Sequence, residues 1–168
     1  MSLFNRLYAT DSLPAHQKQL SLLSPLTGKV ASLDALSHPV YVQRLMGEGA
    51  IIEPTGYQVI APFDGKVIQM ATMANRIVLR SSQGIRLHIQ LGIDSDSMMG
   101  EGFKAHCHHG QGFNSGDVLI EFDPIKMKRM LQDCRCPVTI MNSDKLKGVV
   151  LRGKQVMAGQ DPLLDMLI

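Results

Sequence analysis

From residue 21 onward the apolar positions fall into short runs broken by turn residues, which is a β texture. Runs at 57–60, 66–70, 76–80, 85–91, 118–122, 138–141 and 149–151 predict strands. Pro54-Thr55-Gly56, Pro62-Phe63-Asp64-Gly65, Ser82-Gln83-Gly84 and Ser115-Gly116-Asp117 supply the turns between them. This spacing predicts an all-β, antiparallel sandwich or barrel. One helix is predicted over 124–134, with Ile125, Met127, Met130 and Leu131 as its apolar stripe and a proline at its start. A weaker helical pattern covers 39–46. The pieces Ser24-Pro25-Leu26-Thr27-Gly28-Lys29-Val30 and Ala61-Pro62-Phe63-Asp64-Gly65-Lys66-Val67 are alike, each a Pro-x-x-Gly turn feeding a strand. They suggest a pseudo-duplicated sandwich. At the start of the chain Leu3, Phe4, Leu7 and Tyr8 fall at helical spacing, and residues 9–20 are polar with a proline. The expected organisation is an amphipathic tail and linker over 1–20, then one β domain over 21–168.

Composition narrows the function classes. The 168 residues are 45% apolar and 19% charged, too apolar for disorder and enough for a core without metal or disulfides. Lys+Arg 17 against Asp+Glu 15 leaves a net charge of +2, and no basic run occurs, so nucleic acid is not an expected partner. No apolar stretch approaches the roughly 18 residues of a spanning helix. The first residues are too polar for a signal peptide, and three cysteines (Cys107, Cys134, Cys136) do not make a disulfide framework. The expected location is cytoplasmic. Residues 1–10 read either as a weak contact with the inner membrane surface or as a disordered tail.

Several collinear segments resemble one family. They are Ser24 to Val30, Gly47-Glu48-Gly49, Pro54-Thr55-Gly56, Ala61 to Gly65, Leu91-Gly92-Ile93-Asp94, Gly100-Glu101-Gly102-Phe103-Lys104, Gly116 to Asp123, and Pro137 to Asn142. Together they are similar to the glucose-type enzyme IIA of the phosphoenolpyruvate-dependent sugar phosphotransferase system. The resemblance implies a β-sandwich of duplicated hybrid-motif type with one or two short helices. It also implies a phosphate relay: a strand histidine takes phosphate from the small protein HPr and passes it to a membrane-bound sugar permease. A second histidine holds the phosphoryl group.

At both positions this chain departs from the family. The carrier position, directly before Leu91-Gly92-Ile93-Asp94, is Gln90, and the supporting position is Asn75. A carboxamide nitrogen is not a nucleophile, because its lone pair is delocalised into the carbonyl, whereas a neutral imidazole nitrogen is one. Phosphohistidine chemistry is therefore not expected at these positions, and no cofactor is called for. Both carboxamides keep hydrogen-bonding capacity at about the imidazole's size, so they imitate unphosphorylated histidines. Met73 and Arg76 stand where the family carries Thr and a small or apolar residue, while Asp94 is retained and Val40-Tyr41 resembles the apolar rim of the docking face. The expected function is a regulatory, protein-binding paralogue using Val40, Tyr41, Met73, Asn75, Arg76, His88, Gln90, Asp94 and Met98. By resemblance its partners would be HPr, a sugar permease, adenylate cyclase, glycerol kinase or other transporters.

Two alternatives stay open at this point. His88 lies two residues before Gln90, on the same strand face, and could be a relocated phosphoacceptor, although a displacement of roughly 6–7 Å burdens in-line transfer. The ordinary reading is a polar residue on a partly exposed face. His106, His108 and His109, with Cys107 between them, could form a metal-responsive turn, although consecutive residues rarely converge on one ion. The ordinary reading is a solvated turn. Cys134 and Cys136 are expected as small buried hydrophobes, Met127-Met130-Leu131 as core packing, and Met98-Met99 as either a docking surface or a half-buried loop.

Overall fold

The computed structural model describes residues 7–168. The strands among them run β1 (Gln19–Leu23), β2 (Gly28–Ala31), β3 (Glu48–Pro54), β4 (Gln58–Ile60), β5 (Gly65–Met70), β6 (Arg76–Ser81) and β7 (Arg86–Gln90). They continue as β8 (Phe103–Ala105), β9 (Gly112–Phe113), β10 (Val118–Phe122), β11 (Cys136–Ile140), β12 (Gly148–Leu151), β13 (Gln155–Val156) and β14 (Pro162–Leu167). Two short α-helices are α1 (Pro39–Val42) and α2 (Pro124–Met130).

The strands build an eight-stranded sheet, β13-β2-β3-β11-β7-β6-β5-β9, and two three-stranded sheets, β1-β14-β12 and β4-β10-β8. Every pairing of named strands is antiparallel. The two Pro-x-x-Gly turns feed β2 and β5, each second from an edge of the large sheet. The core forms where the large sheet turns Ala50, Ile52, Val67, Ile77, Leu79, Leu87, Ile89, Val138 and Ile140 toward Val59, Leu119, Ile120, Leu163 and Leu164 of the small sheets. Each Val, Leu or Ile among them contributes roughly 1.5–3 kcal/mol of burial.

The opposite face of the large sheet is covered as well, near β3. Ile51 alternates with Ala50 and Ile52, and packs with Leu33, Leu36 and Tyr41 in a second cluster. That cluster fixes α1 against the sheet. Below it lies a buried ion pair: Arg44 Nε donates to Glu48 Oε1 at 3.0 Å, while Arg44 Nη1 reaches Asp34 Oδ1 at 2.7 Å.

The strand runs read from the sequence lie within a residue or so of β4, β5, β6, β7, β10 and β12, and β11 starts two residues earlier than read. Both helices are shorter than the patterns suggest. The helix over 39–46 ends at Val42, since Arg44 adopts φ 58, outside helical space. The helix over 124–134 ends at Met130. Asp123 caps it, accepting from the Ile125 and Lys126 N–H groups at 3.0 and 2.9 Å. Its stripe is only partly core: Met127 is buried and Leu131 packs on the core, but Ile125 and Met130 are exposed. A helix of seven residues turns too few side chains to one face to bury all four.

β1 already includes Gln19 and Leu20, at the end of the stretch read as linker, and the Gln17 and Lys18 N–H groups donate to the Ile168 carbonyl. The amphipathic pattern at Leu3 and Phe4 lies outside the described residues. Leu7 bridges Val149 on β12, and the Tyr8 N–H donates to the Val149 carbonyl at 2.9 Å. No helix among the described residues is long and apolar enough to cross a membrane.

Candidate functional site

The site residues gather on the β6–β7 hairpin in the middle of the large sheet. Its register pairs Arg76 with Gln90, Ile77 with Ile89, Val78 with His88, Leu79 with Leu87, and Arg80 with Arg86. Directly paired residues share a face. Ile77, Leu79, Leu87 and Ile89 therefore point into the core, while Arg76, Val78, Arg80, Arg86, His88 and Gln90 occupy the outer face. A tight turn before β6, with Ala74 at φ 57, delivers Asn75 to the edge of that face.

Gln90 is held at both ends. The Tyr41 hydroxyl donates to Gln90 Oε1 at 2.7 Å, and Gln90 Nε2 donates to the Gly92 carbonyl at 3.0 Å. Asn75 is 1% exposed; its Nδ2 donates to Ser95 Oγ at 3.0 Å and to Asp96 Oδ1 at 2.8 Å, while its Oδ1 has no partner among the described residues. Both carboxamides are thus already hydrogen-bonded to neighbours within the fold.

His88 is 5% exposed and stacked against Tyr41, with ring centroids 6.4 Å apart and planes inclined by 28°. Its Nδ1 is buried without a hydrogen-bond partner among the described residues. Burial, helped by the charge of Arg76, pushes its pKa from 6.5 down to about 4, so the ring is neutral at physiological pH. Burial pushes the Tyr41 hydroxyl up to about 12, opposed by Arg76. Arg76 itself is exposed and reaches Asp96 at 3.5 Å, a surface pair worth at most about 1 kcal/mol.

Asn75, Arg76 and His88 line a cleft of about 670 Å³ whose remaining wall includes Met46, Met70, Met73 and Met141. Gln90 stands beside this cleft and not among its lining residues.

Of the nine candidate contact residues, Tyr41, Asn75, His88 and Met98 are buried. Tyr41 is turned inward by the second apolar cluster, so Val40, half-buried, is what remains of the rim. Met98 sits in the core at 1% exposed, while its neighbour Met99, at 76% exposed and φ 54, projects outward. The methionine pair is therefore split between core and surface. Met73, Arg76, Gln90 and Asp94 keep exposed or half-exposed surface.

The histidine turn does not converge. His106 Nε2 lies 3.4 Å from Glu121 Oε2, and His108 Nδ1 lies 3.0 Å from the His109 carbonyl oxygen. Among the described residues no group of three or more His, Cys, Asp or Glu side chains is arranged to hold a metal ion. Cys136 is fully buried and its thiol is pushed up to about 12 by burial; Cys107 and Cys134 are half-buried, and all three are free.

Glucose permease IIA from Mycoplasma capricolum shares this fold, with a TM-score of 0.78 at 22% identity over 89% of this chain and 96% of that one. The architecture is thus that of an antiparallel sandwich of the glucose permease IIA type. Sequence relatives reach further than fold. The glucose-specific EIIA component of a PTS system from Bacillus cereus is 31% identical over 147 residues, covering 88% of this chain and 87% of the relative. That from Haemophilus influenzae is 26% identical over 164 residues, 98% of each chain. Residues 20–146 match the family described as phosphoenolpyruvate-dependent sugar phosphotransferase system, EIIA 1, and the chain belongs to it.

Proposed function

We propose that this chain is a protein-binding member of the EIIA family that carries no phosphate, and that it presents a permanent likeness of the unphosphorylated state. The observation that carries the reading is Gln90. It stands at the position which the family resemblance gives to the carrier histidine, and both ends of its carboxamide are already hydrogen-bonded, to Tyr41 and Gly92. A carboxamide offers no nucleophilic nitrogen to a phosphohistidine donor.

The binding face on this reading runs over Val40, Met73, Arg76, Gln90, Asp94 and Met99. Exposed or half-buried methionines adapt to a partner's surface, and Arg76 and Asp94 supply polar orientation. Tyr41, Asn75 and His88 act from beneath, by holding the face in shape. Partners are proteins of the phosphotransferase system, with HPr and the cytoplasmic part of a sugar permease first.

His88 as a substitute phosphoacceptor is the weaker reading. A nucleophile needs an open line of approach to phosphorus, and this ring is packed under Tyr41 with little of it exposed. The test is a phosphotransfer assay with radiolabelled phosphoenolpyruvate, enzyme I and HPr, run on this protein and on His88→Ala. No acid-labile label on the protein is expected. Label that vanishes in His88→Ala would replace the proposal with a displaced relay. Titration with HPr and with the permease domain then tests the binding arm: saturable binding weakened by Met73→Glu is expected, and no binding to either would overturn it.

A further inference from the structure

At the far end of the same hairpin, three cations stand in one row. Lys66 on β5 pairs directly with Arg80 on β6, which pairs directly with Arg86 on β7. Directly paired side chains lie about 5 Å apart at Cβ, and like charges in that relation repel one another. All three are exposed, and none is within ion-pair distance of a carboxylate among the described residues. Lys145 joins them across a concavity of about 640 Å³ that no Asp or Glu lines.

Some arginines elsewhere stand close to acids. Arg44, Arg135 and Arg152 each have a carboxylate within 3.2 Å. The chain carries 15 Asp and Glu against 17 Lys and Arg, yet none of those acids lines this hollow. The floor of the concavity is held in place: Asn142 Oδ1 accepts from the Arg86 N–H at 2.9 Å, and its Nδ2 donates to the Gly84 carbonyl at 2.9 Å. That pair of bonds ties the hairpin turn to the loop carrying Lys145. Of the acids that flank these residues in sequence, Asp64 turns its Oδ1 to the Ser115 N–H at 2.7 Å, and Asp144, next to Lys145, is exposed but not among the lining residues.

We propose that this concavity is a binding site for a small, multiply charged phosphate-bearing anion, held by Lys66, Arg80, Arg86 and Lys145. Four positive charges around one hollow match a group that concentrates several negative charges on few atoms. Phosphate does this and a lone carboxylate does not, and two guanidinium groups suit its oxygens bidentately. Bound anion would also relieve the repulsion within the row. The site lies apart from the methionine-walled cleft and is independent of the function proposed above.

The test is calorimetric titration of the full chain with pyrophosphate at about 0.15 M salt, where weak surface attraction is largely screened. One saturable site is expected, weakened at least about tenfold in the Arg80→Gln/Arg86→Gln variant and unchanged in Arg129→Gln, a basic residue on α2. Circular dichroism and thermal melting check that the double variant is folded; removing like charges should leave its Tm equal or higher. No saturable binding up to millimolar pyrophosphate overturns the assignment, as does binding that survives the double variant. Equal or tighter binding of a short poly-glutamate peptide would make the hollow a protein-docking patch. Binding only to vesicles containing phosphatidylglycerol would make it a membrane-facing patch. Either of these results also overturns the small-anion site.

Discussion

His88→Phe separates the energetic role of the buried ring from any chemical one. In the folded chain the imidazole titrates at about 4, against 6.5 for the same group in solvent. Between those values the unfolded chain binds a proton that the native chain refuses, so stability falls as pH drops below 6.5 and stops falling near 4. At about 1.4 kcal/mol for each pH unit, the whole interval amounts to ~3 kcal/mol. Phenylalanine keeps a flat ring against Tyr41 and has no nitrogen to leave unpartnered. The assay is urea unfolding of both proteins at steps from about pH 7.5 to about pH 4.5, with the difference in unfolding free energy plotted against pH. Every other titrating group common to both proteins cancels in that difference. The variant is expected to be at least as stable at neutral pH, since it removes a buried nitrogen without a hydrogen bond, and to gain on the parent steadily below pH 6.5. A difference that stays flat within about 0.5 kcal/mol over the range would refute the reasoning and mean that the ring is solvated.

Other consequences follow from the same geometry. Tyr41→Phe removes the donor to Gln90 Oε1 and should cost about 1 kcal/mol, read as a lowered Tm, with most of the loss absent when Gln90 is already replaced by leucine. Arg44→Met leaves the Glu48 carboxylate buried without its guanidinium partner and should cost roughly 3–5 kcal/mol in urea unfolding; a cost below about 1 kcal/mol would show the pair to be solvated. Native protein should titrate with at most two fast thiols against a disulfide reagent, Cys107 and Cys134, and the third should appear only on unfolding, because Cys136 is fully buried with its pKa pushed up to about 12.

Much of the architecture was legible locally. Short apolar runs located the hairpin strands β6 and β7, and turn residues marked their ends. Strands β3 and β14 were harder to read, because each carries a carboxylate at a buried position. Glu48 is met inside by Arg44 and by the Gly49 N–H, and Asp165 by Ser21, Gln19 and Arg152 from strands or loops distant in sequence. A period-two pattern shows which residues share a face but not whether that face is covered. The outer face near His88 is covered by Tyr41, which arrives from a helix 47 positions upstream. That distant contact turned two expected surface residues into buried ones.

The sequence by itself determined the β class and about half of the strands, the proline start of α2, the family to which the chain belongs, and the absence of an imidazole at positions 75 and 90. These follow from residue identity and short-range pattern. Only the tertiary structure decided that Tyr41, Asn75 and Met98 face inward, that Met99 alone of its pair is exposed, and that Lys66, Arg80 and Arg86 stand abreast. Burial and charge proximity are properties of residues brought together by strand register and sheet packing, and pattern along one strand does not show which residues another element brings against it.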